Sequence, residues 1–217
     1  MSDKAAPQIR NRVLGDLVYD RIKEMIDEHL LAPGEKIRTL ELAGMIGVSQ
    51  TPVNAALSRL AGEKLIEQRS RQGYFVRQYT NIELSHLFEL RAGIESMAIM
   101  LCIENANDQQ LDDLCRSFDG LAPPLSGKRL DRYIHVDKHF HESIVRYSGN
   151  PFLEDLLTSS AYLIKSNQKG LVRPPEDTAP EHARIVDALR NRDGLKARDE
   201  IVLHNLRSRD YLRSLAD

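Results

Sequence analysis

The sequence predicts a mostly α-helical chain in two parts, an N-terminal winged helix–turn–helix over residues 1–78 and a C-terminal all-α helical bundle over residues 79–217. Three observations carry that prediction. Two short helical stretches meet at Gly47. The period then changes to the β-branched and aromatic run "LIEQRSRQGYFVRQ" at 65–78, which is split by a polar, Gly-containing turn. After residue 80 every long segment has helical spacing, with no strand pattern, repeat or low-complexity tract.

Each element follows from local chemistry. Leu14, Leu17, Val18, Ile22, Met25, Ile26 and Leu30 recur at steps of three and four, which predicts an amphipathic helix over 14–31. "APGEK" at 32–36 stops it, because Pro33 cannot continue the ladder and Gly34 permits a turn. Thr39 offers a hydroxyl cap, and Glu41 sits near the positive end of a short helix that closes at Gly47. A second helix runs from about Thr51 to Glu63, and the hairpin at 65–78 completes the order helix, helix–turn–helix, wing.

"YTNIE" at 79–83 reads as a short linker into the bundle. Leu84, Leu87, Phe88, Arg91, Ile94, Ala98 and Leu101 mark its first helix, and a second covers roughly 108–121. "APPLSGK" at 122–128 breaks the pattern before a helix over about 130–148. Asn150 then caps the next helix, with Pro151 at a position that needs no N–H. "RPPEDTAPE" at 173–181 is a further break, in which Thr178 and Glu181 have the spacing of a capping box. Two last helices, about 179–191 and 195–214, meet at "RNRDG".

Composition narrows the function classes. An apolar content of 41% supports a packed core, and a net charge of −2 gives no global sign of a nucleic-acid binder. The charge is divided unevenly, with 12 Lys/Arg against 10 Asp/Glu in residues 1–80 and 18 against 22 in the remainder. That has the sign expected if the first part touches phosphate. Cys102 and Cys115 are too few for a disulfide framework and lack zinc-ribbon spacing. "MSDKAAPQIRNR" has no apolar core of signal-peptide length, and no apolar run approaches the ~20 residues of a membrane span. A cytoplasmic protein with no membrane partner is the expectation.

In the helix beginning near Thr51, Val53, Ala56, Leu57 and Leu60 face inward, so Gln50, Thr51, Asn54 and Ser58 point elsewhere. A surface helix of this kind is common. Its setting between a tight turn and a wing favours a recognition helix, whose first residues reach base edges in the major groove. The amides of Gln50 and Asn54 can each donate to and accept from adenine. Ser49 precedes them. Lys36, Arg38, Arg59, Lys64, Arg69 and Arg71 could supply phosphate contacts, and Arg69 and Arg71 flank the wing turn near Gly73.

A second constellation lies in the bundle. "DKHFH" places Asp137 and His141 at i and i+4 on one helix face, with His135 and His139 paired on another. His182 and His204 stand 11 residues before and after Asp193, the centre of the last turn. In an antiparallel hairpin both lie at one level, about 16 Å from the turn at a rise of about 1.5 Å per residue. Two imidazoles there could meet Asp137 and His141 from a facing helix. Three nitrogens and one carboxylate oxygen suit a divalent metal, zinc first, with nickel, manganese or iron open. Equally, Asp137 and His141 can form a surface pair, while His182 is a polar residue near a helix start and His204 a partly buried one.

The stretch "LVYDRIKEMIDEHLLAPGEKIRTLELAGMIGVSQTPVNAALSRLAGEKLIEQRSRQGYFV" resembles the DNA-binding domain of the GntR superfamily of bacterial transcription regulators, with its PG turn, GVS…TPV…AL…RL run and GYFV wing in order. The family usually carries Arg where this chain has Gln50 and Asn54. Residues about 82–214 resemble the FCD ligand-binding domain of the FadR subfamily through "FELRAGIE", "DKHFHESIVRYSGNPFL", "EHARIVDALRNRD" and "HNL". That resemblance implies a divalent metal on Asp137, His141, His182 and His204. It also implies a small organic acid beside the metal, with Arg91 at the position of the family's arginine. Arg91 could clamp an acid group or pair with Glu95.

A metal-dependent hydrolase with a DNA-binding-like head is the alternative. HExxH, GxSxG, a Gly-rich phosphate loop and a CxxC pair are all missing, and four protein ligands leave little room for an activated water. The expectation is therefore no enzyme and no catalytic residue. The chain reads as a homodimeric, effector-responsive repressor on a near-palindromic DNA operator.

Overall fold

Apolar spacing along the chain resolves into the elements α1 (Ala6–Asp27), β1 (Lys36–Ile37), α2 (Thr39–Ile46), α3 (Gln50–Gly62), β2 (Ile66–Arg69), β3 (Gly73–Val76), α4 (Asn81–Asn105), α5 (Asp108–Arg116), α6 (Gly127–Tyr147), α7 (Pro151–Asn167), α8 (Pro175–Arg190) and α9 (Gly194–Ser214). The structure, a computed structural model, describes residues 6–167 and 170–216, with side chains from residue 13 onward. The start of the "MSDKAAPQIRNR" segment, on which the expectation of no leader rests, lies outside the described residues. The chain divides into two compact units: Met1–Tyr79 with Lys165–Asn167, and Thr80–Ile164 with Gln168–Asp217.

In the first unit, α1 and α3 pack their apolar faces together. Val18, Ile22, Met25 and Ile26 of α1 and Val53, Ala56, Leu57 and Leu60 of α3 are all buried. Gly47 ends α2 with φ 79, a left-handed conformation that costs glycine little, and its N–H bonds to the Ala43 carbonyl. The hydroxyl cap expected of Thr39 is not formed. β1 runs straight into the helix, so Thr39 is already helical, and Arg38 holds the cap position without a side-chain bond to the helix-end N–H groups. The sheet has order β1-β3-β2, with Glu67 opposite Phe75 and Ile37 opposite Tyr74. The third strand escapes sequence reading because two residues are too few to display a period.

In the second unit, α9 packs along α4 and α8, and α6 packs on α4. Their shared core includes Ile99, Cys102, Phe140, Ile144, Ile185, Leu189 and Ile201. A capping box between Thr80 and Glu83 starts α4. Asn150 caps α7, its Oδ1 accepting from the Phe152 and Leu153 N–H groups. α5 is shorter than expected and stops at Arg116. The break expected at 173–181 is corrected: α8 starts at Pro175 and runs through Pro180. Proline at the first helical position gives up no bond, so the helix begins earlier, and Thr178 and Glu181 turn inward instead of forming a capping box. Both cysteines are free and buried, and burial pushes the Cys102 thiol up to about 12. Among the described residues no helix is long and apolar enough to cross a membrane.

Candidate metal centre and nucleic-acid interface

Three helices of the second unit each contribute one imidazole to a common point. His141 comes from α6, His182 from α8 and His204 from α9, all buried. One ring nitrogen from each lies within 4.8 Å of the other two. The ring centroids are 4.7 Å apart for His182 and His204, 5.1 Å for His141 and His204, and 5.6 Å for His141 and His182. Asp137, one turn before His141, is partly exposed and places Oδ1 at 3.3 Å from His182 Nε2. That Nε2 is buried and has no hydrogen-bond partner.

The opposite side of every ring is engaged. His141 Nδ1 lies 2.9 Å from Glu95 Oε2, and His204 Nδ1 lies 2.8 Å from Glu181 Oε2, both at hydrogen-bond distance. His182 Nδ1 meets the Tyr133 hydroxyl at 2.9 Å, which also contacts Thr178 Oγ1 at 2.8 Å. Phe118 stacks on His182 with centroids 4.4 Å apart. With each Nδ1 satisfied, each Nε2 is left to the centre. A buried ring nitrogen without a partner costs free energy unless something accepts its lone pair. Three imidazole nitrogens with a carboxylate in reach form a donor set that fits a divalent cation. The outward pair, His135 and His139, takes no part: both are exposed, with His139 Nδ1 3.4 Å from Ser143 Oγ.

Electrostatics keep the His182 and His204 rings neutral. Burial, then the neighbouring His204 and His141, lower the His182 pKa well below 6.5. Burial also lowers that of His204, against an opposing pull from Glu181. For the carboxyl of Glu181 burial acts upward, but the bonds from His204 and Arg173 outweigh it and bring it to about 2. Glu95 is likewise held below the usual carboxylate range, burial being overcome by Arg91, His141 and Asn205. The sign for stability follows. An imidazole with a depressed folded pKa binds fewer protons folded than unfolded, so its contribution is complete above 6.5 and shrinks as pH falls below it. The Glu181 contribution is complete above the ordinary 4.5 and is lost only toward about 2. Thermal scans of the metal-free protein are therefore expected to show Tm falling from about pH 7.5 to about 5.5. A flat profile over that range would count against neutral, buried imidazoles.

Arg91 spends Nε and Nη2 on Glu95 Oε1, at 3.0 and 2.7 Å. The structure thus places it in the carboxylate pair weighed against the effector contact. Sequence reasoning named Glu95 only as a partner for Arg91, and missed Tyr133, Arg173, Glu181 and Asn205 as neighbours of the rings. Glu181 directly precedes His182 but carries the spacing of a cap, and Arg173 has no local signal at all in "RPPEDTAPE".

In the first unit, Gln50, Thr51, Asn54 and Ser58 share the exposed face of α3, with Ser49 exposed at its N-cap. Lys36, Arg38, Arg59, Arg69, Arg71 and Gly73 are exposed as well. Three of the arginines already have acidic partners: Arg38 with Glu41 and Arg59 with Asp16, at 2.9 and 3.0 Å, and Arg69 with Glu67. Arg59 also lies 3.8 Å over the Tyr19 ring, tying α3 to α1. Arg71 stands in the wing turn at φ 59, before Gly73 at φ 94.

Comparison with known proteins agrees with both halves. The FCD domain family matches residues 86–207, and the family of bacterial regulatory proteins described as gntR matches residues 14–76. The chain is 26% identical over 204 residues to the HTH-type transcriptional regulator YdhC of Bacillus subtilis (strain 168), covering 92% of this chain and 91% of that one. It is 27% identical over 199 residues to the HTH-type transcriptional repressor GlaR of Escherichia coli (strain K12), covering 87% and 90%. The solved structure of E. coli McbR/YncC has the same fold, with a TM-score of 0.68 at 20% identity over 93% of this chain and 98% of that one.

Proposed function

The chain belongs to the bacterial gntR-family transcriptional regulators that carry an FCD effector-binding domain, and from that premise we propose that it is a metal-dependent, acid-sensing repressor. The family consists of regulators rather than enzymes, which sets the hydrolase alternative aside. The observation that carries the proposal is the convergence of three buried imidazole nitrogens, one of them without a partner, inside the FCD half.

His141, His182, His204 and Asp137 would hold the ion, zinc fitting this donor set first. When bound, the metal supplies a fixed positive charge in a buried site, where a small carboxylate gains most from it. Arg91 would contribute Nη1, the edge that Glu95 does not use. An acid can alter DNA affinity only if it prefers one arrangement of the heads over another. DNA release on acid binding, hence repression, is the sign proposed here, in keeping with the relative named a repressor.

On the DNA side, Gln50 and Asn54 would read bases from the start of α3, with Ser49 and Thr51 beside them. Lys36, Arg38, Arg59, Arg69 and Arg71 would hold phosphates, and the turn at Gly73 would bring the wing to the backbone. Those arginines with acidic partners would exchange one counter-charge for another, as phosphate contacts do. The working form would be a cytoplasmic homodimer on a near-palindromic operator, since a two-fold protein reads two-fold DNA. Native mass spectrometry, before and after gentle denaturation, tests the core of this reading. The expected result is a dimer with about one divalent ion per chain, lost on denaturation. A metal-free monomer would refute it.

A further inference from the structure

Two relays of identical order, arginine to glutamate to histidine, run into the histidine cluster. In the first, Arg91 places two bonds on Glu95 Oε1, while Oε2 lies 2.9 Å from His141 Nδ1 and accepts from Asn205 Nδ2 at 2.7 Å. In the second, Glu181 Oε1 accepts from Arg173 Nη1 and Arg207 Nη1, both at 3.0 Å. Its Oε2 accepts from Arg173 Nη2 and lies 2.8 Å from His204 Nδ1. Glu95, Glu181 and Arg173 are buried, and Arg173 is further pinned to Ser208 Oγ and the His204 carbonyl.

We propose that Glu95 and Glu181 are positioning residues of this cluster: each fixes one imidazole with its proton on Nδ1 and so keeps Nε2 open toward the shared centre. The reason is donor arithmetic. An ionised carboxylate is acceptor-only, so an imidazole against it must donate. A neutral imidazole has one N–H, so donation at Nδ1 leaves the lone pair on Nε2. The arginines keep the carboxylates ionised and also fix which oxygen faces the ring. Outer hydrogen bonds of this kind orient metal-binding histidines and strengthen them as ligands. The assignment to metal binding rests on the metal reading above; the tautomer assignment does not.

The glutamine variants separate this role from simple packing. In Glu95→Gln the two Arg91 bonds hold the amide oxygen at the Oε1 position, which turns the NH2 toward His141. Asn205 can accept from that NH2 through Oδ1, which is buried and has no partner. His141 must then accept at Nδ1, and its proton moves to Nε2, the atom a metal needs. In Glu181→Gln, Oε1 has two arginine donors, from Arg173 and Arg207, against one at Oε2, so the oxygen is held at Oε1, Arg173 Nη2 gives way to the NH2, and the same switch falls on His204.

The experiment uses the metal-free full chain at about pH 8, above the ordinary imidazole range. Long-range proton–nitrogen NMR correlations report each ring's tautomer. Wild type is expected to carry Nδ1–H at both His141 and His204. Glu95→Gln should switch only His141 and Glu181→Gln only His204, each with about 10–100-fold weaker Zn2+ binding in chelator competition. An Nε2–H tautomer at His141 or His204 in wild type would overturn the proposal even if neither variant folds. An unswitched ring in a variant with wild-type circular dichroism would overturn it too. Wild type that takes up no Zn2+ would instead sink the metal reading, a result the tautomer pattern keeps distinct.

Discussion

His204→Ala is expected to reduce bound metal from about one ion per chain to none retained through gel filtration, and to abolish the effector response. The ring is one of three nitrogens within 4.8 Å of each other, and no described neighbour can replace it. Losing a ligand outright should exceed the ~10–100-fold loss in affinity typical of removing an outer hydrogen bond. The fold should tolerate the change, because Glu181 keeps Arg173 and Arg207 when the imidazole goes. His182→Ala should behave alike on metal content. In both, DNA binding by the metal-free protein should stay near that of metal-free wild type, since neither residue belongs to the DNA-binding unit. Metal analysis by mass spectrometry checks the first point and operator titration with and without acid the second. Unchanged metal stoichiometry in both variants would refute the ligand assignment.

Asn54→Ala is expected to weaken operator binding by roughly 5- to 150-fold, the ~1–3 kcal/mol of a bidentate amide–adenine pair, while leaving non-specific DNA binding near wild type. Asn54 is exposed on α3, one turn from Gln50 and on the side away from the buried Ala56. An uncharged amide carries little of the phosphate attraction that dominates non-specific affinity. Equal losses on operator and random DNA would mean that Asn54 does not read bases. The same chemistry predicts A·T pairs at the contacted half-site positions, because a side-chain amide matches adenine N6 and N7. A binding-site selection returning G there would rule this out.

Much of the helical frame was legible in the sequence because it is local. Apolar residues at steps of three and four give α1, α3, α4 and α6, and the Gly47 turn and the cap at Asn150 act through their own backbone neighbours. Errors fell where a tertiary partner outweighed a local signal. Thr178 and Glu181 have the spacing of a capping box, yet Tyr133 and the Arg173–His204 pair draw them into the bundle. Equal spacing from Asp193 set His182 and His204 at one level of an antiparallel hairpin, and their rings lie 4.7 Å apart.

By itself, then, the sequence determined the helix frame, the winged order of the head and the shared level of two histidines, since each depends on period, chain direction and turn chemistry within a few residues. Only the tertiary structure decided that His141 reaches the same point from α6, that Arg91 is committed to Glu95, and that Glu95 and Glu181 stand behind two of the rings. Apart from Arg91–Glu95, which are one helical turn apart, those contacts join residues 23 to 63 positions apart. Such contacts are selected by how helices pack and by the cost of burying a charge or a ring nitrogen unpaired, quantities that no short window of sequence contains.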